Sequence, residues 1–147
     1  MPIDADNPVA KLCAEGMAVE GDAEAASALF AQAWEARRDD YDAAIAAHFV
    51  ARHQPTPEAT LHWNALALEH AERVGDDRVA DLLPSLYLNL GDSYRLVGRT
   101  EDAETWAARA ASALETLPAG GYKDFVSFGT QRLIERLAQS RVEGGAA

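Results

Sequence analysis

The sequence predicts an all-α protein of seven helices. Three observations carry that prediction. Alanine is abundant and β-branched residues are few, which favours helix. No segment alternates polar and apolar residues with period two. Capping and turn residues punctuate the chain at short intervals.

The elements follow in order. Asn7-Pro8 reads as an N-cap followed by proline at the first helical position, opening a helix that runs to about Val19 and the turn "EGD". A second helix spans about Ala23 to Arg38. "RRDDYDA" supplies acidic caps for a third, about 40–53. "HQPTPEAT" breaks it. Thr56 then caps and Pro57 opens a fourth helix, about 57–74, which "VGDD" ends. A fifth is expected from about Asp77 to Val97, kinked at Pro84, because an interior proline removes a backbone hydrogen bond. "GRT" turns the chain, with Thr100 as N-cap of a sixth helix, about 101–116. "LPAGG" breaks it again. The seventh, about 122–140, carries Phe125, Phe128, Leu133, Ile134 and Leu137. "VEGGAA" reads as a disordered tail within 141–147.

With 147 residues, 48% of them hydrophobic, the chain can bury a core of its own. Its formal charge is −11, which repels nucleic acid phosphates and argues against a generic DNA or RNA binder. The acidity is concentrated in residues 1–42, with ten acids against three bases, net −7. That stretch reads as a solvated face or as a docking surface for a basic partner. Cys13 is the single cysteine, so there is no internal disulfide, and its apolar setting marks a buried structural thiol. No run approaches the roughly 20 apolar residues that span a bilayer, so no membrane is expected as partner. The start, "MPIDADNPVAK", is acidic without an apolar signal core, and the expected location is cytoplasmic.

The most regular stretch is "SLYLNLGDSYRLVGRTEDAETWAARAASALETLP", residues 85–118. Tyr87, Leu90, Gly91 and Tyr94 fall in a large-x-x-Leu-Gly-x-x-Tyr pattern. Gly98 stands in the turn, Ala103, Ala107 and Ala110 follow, and Pro118 closes the unit. Such spacing serves close helix crossing: Gly91 lets the next helix approach its backbone, and Ala103 presents a matching small surface. This pattern resembles the tetratricopeptide repeat, with an alanine at 107 where that family prefers an aromatic residue. The first two helices repeat it with Ala14 in the place of Gly91 and Met17 in that of Tyr94, then Ala26, Phe30 and Ala33. The middle pair is more diverged, with Ala47, Val50, Ala59, Trp63 and Leu66. The resemblance implies one domain over 1–147: an α-α superhelix of three helix pairs, about 7–38, 39–75 and 77–117, closed by a capping helix at about 122–140.

Familiar chemistry is missing from the sequence. His48, His53, His62 and His70 do not share the i, i+4 spacing of two metal ligands on one helix face, and there is no HExxH. Neither GxxxxGK[ST], GxGxxG after a strand, nor GxSxG occurs, so no cofactor or metal is expected. The acidic pairs Asp39-Asp40, Asp76-Asp77 and Glu101-Asp102 sit at helix starts, where carboxylates favour the positive end of the helix dipole. The segment 48–64 is less ordinary, with three histidines, Arg52, Trp63 and Asn64 around one corner. His48 and Arg52, four apart, share a face, opposite the expected packing residues Ala47 and Val50.

In the family that the pattern resembles, the first helix of each pair lines a concave groove for a peptide. Carried over position by position, this implies three rows: Lys11 and Glu15; Tyr41, His48 and Arg52; Ser85, Leu88, Asp92 and Arg95. Glu15 beside Lys11, and Asp92 in the third row, depart from the cationic clamp some of these proteins use for a C-terminal carboxylate. The leading expectation is a non-catalytic scaffold for a protein or peptide segment. Two alternatives stand beside it: a self-assembling protein, including a homodimer, whose seventh helix covers another chain, and a small enzyme using His48, Arg52 and a tyrosine.

Overall fold

The computed structural model describes residues 4–145. Every regular element among them is helical. The seven α-helices are α1 (Pro8–Ala18), α2 (Ala23–Glu35), α3 (Asp40–Val50), α4 (Pro57–Val74), α5 (Leu83–Leu96), α6 (Thr100–Ala113) and α7 (Gly121–Gly145). Single 3-10 turns extend α3 over Ala51–His53 and α6 over Leu114–Thr116, so both end close to where the sequence puts them. The chain divides into two compact units, one ending at Ala80 and the other beginning at Asp81.

Most of the start signals act as the sequence predicts, and Asp22 adds a cap that the sequence reading did not single out. Asn7 accepts from the amides of Val9 and Ala10, Asp22 from Ala25, Asp39 from Asp42 and Thr56 from Ala59. Each such cap is worth about 1 kcal/mol. Gly75, with φ of 63°, ends α4 in the left-handed region that glycine enters without strain.

Four boundaries differ. α2 ends at Glu35, three residues before the expected Arg38. Residues 77–82 are turns and α5 starts only at Leu83, so Pro84 occupies the first helical turn and makes no kink. There its missing N–H costs nothing, since first-turn amides have no helical acceptor. The segment between α4 and α5 is therefore a loop, where the sequence expectation had helix from about Asp77. Thr100 is the first residue of α6, with Arg99 in the cap position and no side-chain cap bond. "VEGG" continues α7, while Ala146 and Ala147 lie outside the described residues.

In the first unit α1 and α2 form one antiparallel hairpin and α3 and α4 another, with α3 also against α1 and α2. α3 is buried on every side, from Asp42 to Phe49. Its run "AAIAA" has no polar face to offer solvent, the mark of a central helix. The close crossing of the first hairpin is at Gly16, where an added Cβ would lie 2.3 Å from Cε1 of Phe30. The expected alignment put Ala14 in that role, but Ala14 is exposed. Ala26, Phe30 and Ala33 are buried as expected. In α4 the buried set is Asn64, Ala67, Leu68 and Ala71, while Ala59, Trp63 and Leu66 are only half-buried. Trp63 stands edge-on to Trp34, with ring centroids 5.0 Å apart.

The second unit is a three-helix packing of α5, α6 and α7. Gly91 meets the backbone of α6, with the Ala107 nitrogen and Ala103 oxygen at 3.3 and 3.4 Å from where its Cβ would be. This is the crossing read from the sequence. α7 covers the other side through Leu133 and Leu137, which pack with Ala103, Ala107, Leu88 and Tyr94.

Candidate functional site

α1 and α3 run side by side in the same direction, held at both ends by polar groups. At the N-terminal ends, Asn7 Nδ2 donates to Asp42 Oδ1 at 2.8 Å. The other Asp42 oxygen accepts from the Arg38 amide at 3.0 Å and from Arg38 Nε at 2.9 Å. The Asp42 side chain is 0% exposed. Burial alone would raise its carboxyl, but the bonds from Arg38 and Asn7 outweigh that and leave it below the usual carboxylate range. At the C-terminal ends, Arg52 grips Glu20 in a two-point bond of 2.8 and 3.0 Å. His53 Nε2 lies 2.8 Å from the same carboxylate. Hydrogen bonds from Arg52, then His53, hold the Glu20 carboxyl below its ordinary value despite some desolvation.

Between these two clasps lies a cleft of about 230 Å3, lined by Ala5, Ala10, Lys11, Cys13, Ala14, Met17 and Phe49. Its walls are mostly apolar because α1 presents small residues on that side and α3 contributes the Phe49 ring. Lys11, Ala14 and Met17 are exposed, with Met17 at 46%, so the cleft opens to solvent. The Cys13 thiol is buried and pushed up to about 12, which keeps it protonated and unreactive at neutral pH. Among the described residues no group of His, Cys, Asp and Glu side chains is arranged to hold a metal ion. Among the described residues no helix is long and apolar enough to cross a membrane.

The nine groove positions inferred from the sequence have different fates. Lys11 is on the rim of the cleft, and Glu15 is exposed on α1. Tyr41 is half-buried beneath the Arg78 guanidinium, 5.4 Å from the ring centroid. His48 does not face a groove: it is 8% exposed, beside Phe49. Burial, with the nearby charge of Arg52, pushes its pKa down to about 4, so the ring is neutral at pH 7 and offers no cation to a ligand. Arg52 is engaged by Glu20, on the side of α3 that faces α1. In the second unit α7 takes up part of the third row. The Tyr122 hydroxyl donates to the Asp81 carbonyl at 2.8 Å and is 2.5 Å from Ser85 Oγ, which therefore donates to it. Leu88 packs against Gly129 of α7. Asp92 and Arg95 pair with each other at 2.9 Å.

No family model, curated protein or solved structure matches the chain. The cleft therefore rests on its own geometry. Of the nine positions inferred from the sequence only Lys11 lines this cleft, and Phe49, Ala14 and Met17 were not among them. The available signal was the pairing of an unbroken apolar α3 with a small-residue face on α1, which leaves space where two thin helices lie side by side.

Proposed function

We propose that this chain is a non-catalytic binding module, a short helical array of the tetratricopeptide kind, that holds a protein or peptide segment by one apolar side chain in the cleft between α1 and α3. The observation that carries this reading is the open apolar cleft of about 230 Å3 between two fixed helices. A recess of this kind takes a leucine- or phenylalanine-sized anchor, and pre-formed walls spare the ligand the cost of ordering them. Met17 at the mouth is flexible and polarizable, which suits a site that accepts anchors of more than one shape. Lys11 on the rim adds a cation for an acidic residue flanking the anchor. The parallel packing of α1 on α3 and the Gly91 crossing support the repeat-like reading, since both are what a stack of helix hairpins requires.

The test fills the cleft from its exposed side. A partner captured from native lysate by the parent chain is titrated against Ala14→Trp. Ala14 is exposed, so the variant is expected to keep its helicity and melting temperature, while affinity falls at least about tenfold through loss of the anchor pocket. Unchanged binding by a folded Ala14→Trp chain overturns the assignment.

A further inference from the structure

α7 buries one side and leaves the other bare. Val126, Thr130, Leu133 and Leu137 are buried in the second unit. On the outer side Phe125 and Phe128 are 75% and 66% exposed. A phenylalanine presents about 150–250 Å2 when fully displayed, so two adjacent ones form a large apolar spot. Monomeric surfaces of this size seldom keep such a spot without a use.

The charges around the spot have a definite order. Asp124, Phe128 and Arg132 follow one another at intervals of four, on one line of the helix, and all three are exposed. Phe125 lies beside that line, and the Arg132 guanidinium is 6.0 Å from the Phe128 ring centroid. The line therefore reads acid, aromatic, base. It is antisymmetric about Phe128. Laid against an identical helix in the opposite direction, it is its own complement: Asp124 meets the other copy's Arg132, Arg132 meets the other copy's Asp124, and the two Phe128 rings meet at the axis. The same arrangement brings Glu135 to the N-terminal turn of the opposite α7 at Gly121, where unpaired amides favour a carboxylate. A parallel arrangement would set like charges opposite each other. Elsewhere a chain of net charge −11 repels its copies, whereas this line carries one charge of each sign.

We propose that α7 is a homodimer interface, two copies pairing antiparallel across Phe128 about a twofold axis. A twofold contact of this kind closes on itself and does not propagate into fibres. It uses α7 alone and is independent of the cleft between α1 and α3.

The charge order provides the test. Sedimentation equilibrium on the full chain should show the mass rising with concentration from 15.8 kDa towards twice that value. Asp124→Arg sets base against base across the axis, and Arg132→Asp sets acid against acid. Each variant alone should associate at least about tenfold more weakly than the parent. An equimolar mixture of the two should dimerise again, because each now complements the other. Phe128→Glu should be monomeric in every mixture. Circular dichroism checks that all variants keep the parent's helicity, as exposed positions should. A parent that stays monomeric throughout the series overturns the proposal, as does a mixture no better than its components. Association that survives Phe128→Glu lies on another surface and also overturns it.

Discussion

Replacing Gly16 by alanine sets two known effects against each other. Alanine is the better helix former by about 1 kcal/mol, so on propensity alone the variant should gain stability. The structure opposes this. The new methyl group would lie 2.3 Å from Cε1 and 2.7 Å from Cδ1 of Phe30, so the ring must withdraw by more than about 1 Å to reach ordinary contact. That ring has little room. It is buried, stacked on His53 at 5.8 Å and tilted against Phe49 at 5.5 Å. Overpacking of this kind costs about 1–3 kcal/mol, and the upper half applies where neighbours on both faces hold the ring. The net expectation is destabilisation by about 1–2 kcal/mol, a fall of roughly 3–7 °C in melting temperature at this chain length. Thermal melts followed by circular dichroism would measure it. Gly21→Ala is the control, since nothing lies within 4 Å of its Cβ position. Phe30→Leu in the Gly16→Ala background should recover part of the loss, a coupling absent for distant sites. A Gly16→Ala chain that melts at or above the parent would refute the reasoning.

Asp42→Ala removes the shared acceptor of Asn7 and Arg38 and should cost about 2–3 kcal/mol in urea denaturation, mainly by stranding the buried Asn7 amide. Because the folded pKa of Asp42 lies below its unfolded value, the parent's contribution is present above about pH 4 and is lost as pH falls through the folded value. Urea midpoints at acid pH should show this slope in the parent and not in Asp42→Ala. His48 acts in the window above. Its folded pKa of about 4 lies under an unfolded value near 6.5, so the unfolded chain binds the extra proton and stability falls as pH drops from 6.5 towards 4. The full effect is on the order of 3 kcal/mol. Comparison with His48→Leu should isolate it, and parallel pH profiles for the two chains would show that the ring is not held neutral.

The helices were legible because their signals are local. Asn7, Asp39, Thr56 and Gly75 each act within a few residues of themselves, so a pattern of single residues suffices to place an end. Pro84 shows the limit: the same proline fits a kinked interior or a first turn, and only the tertiary fate of residues 77–82 decides between them. The Gly91 crossing could be read because glycine and its matching alanines recur at fixed offsets. The Gly16 crossing could not, because its counterpart is one large ring, Phe30, whose position depends on Phe49 and His53 from the next hairpin. The groove rows failed at His48 for a related reason. Helical spacing gives the face on which a residue stands, but α3 has neighbours on every face, and no amphipathic pattern distinguishes them. Ser85 and Leu88 were taken by α7, which the sequence placed as a cap without its register.

The two clasps on α1 bear on how long the cleft lasts. α1 is the first helix among the described residues and supplies most of the cleft wall, so whenever it detaches the recess ceases to exist. Its opening rate is then the natural clock of the site. An occupant that bridges α1 and α3 can leave either by dissociating or by waiting for the wall to lift away, and it slows the second route in proportion to its own occupancy. Amide hydrogens along Cys13–Met17 would record both events. Their exchange in the empty chain measures the free energy of detachment, and the slowing on addition of an occupant gives its affinity without any label on the occupant itself.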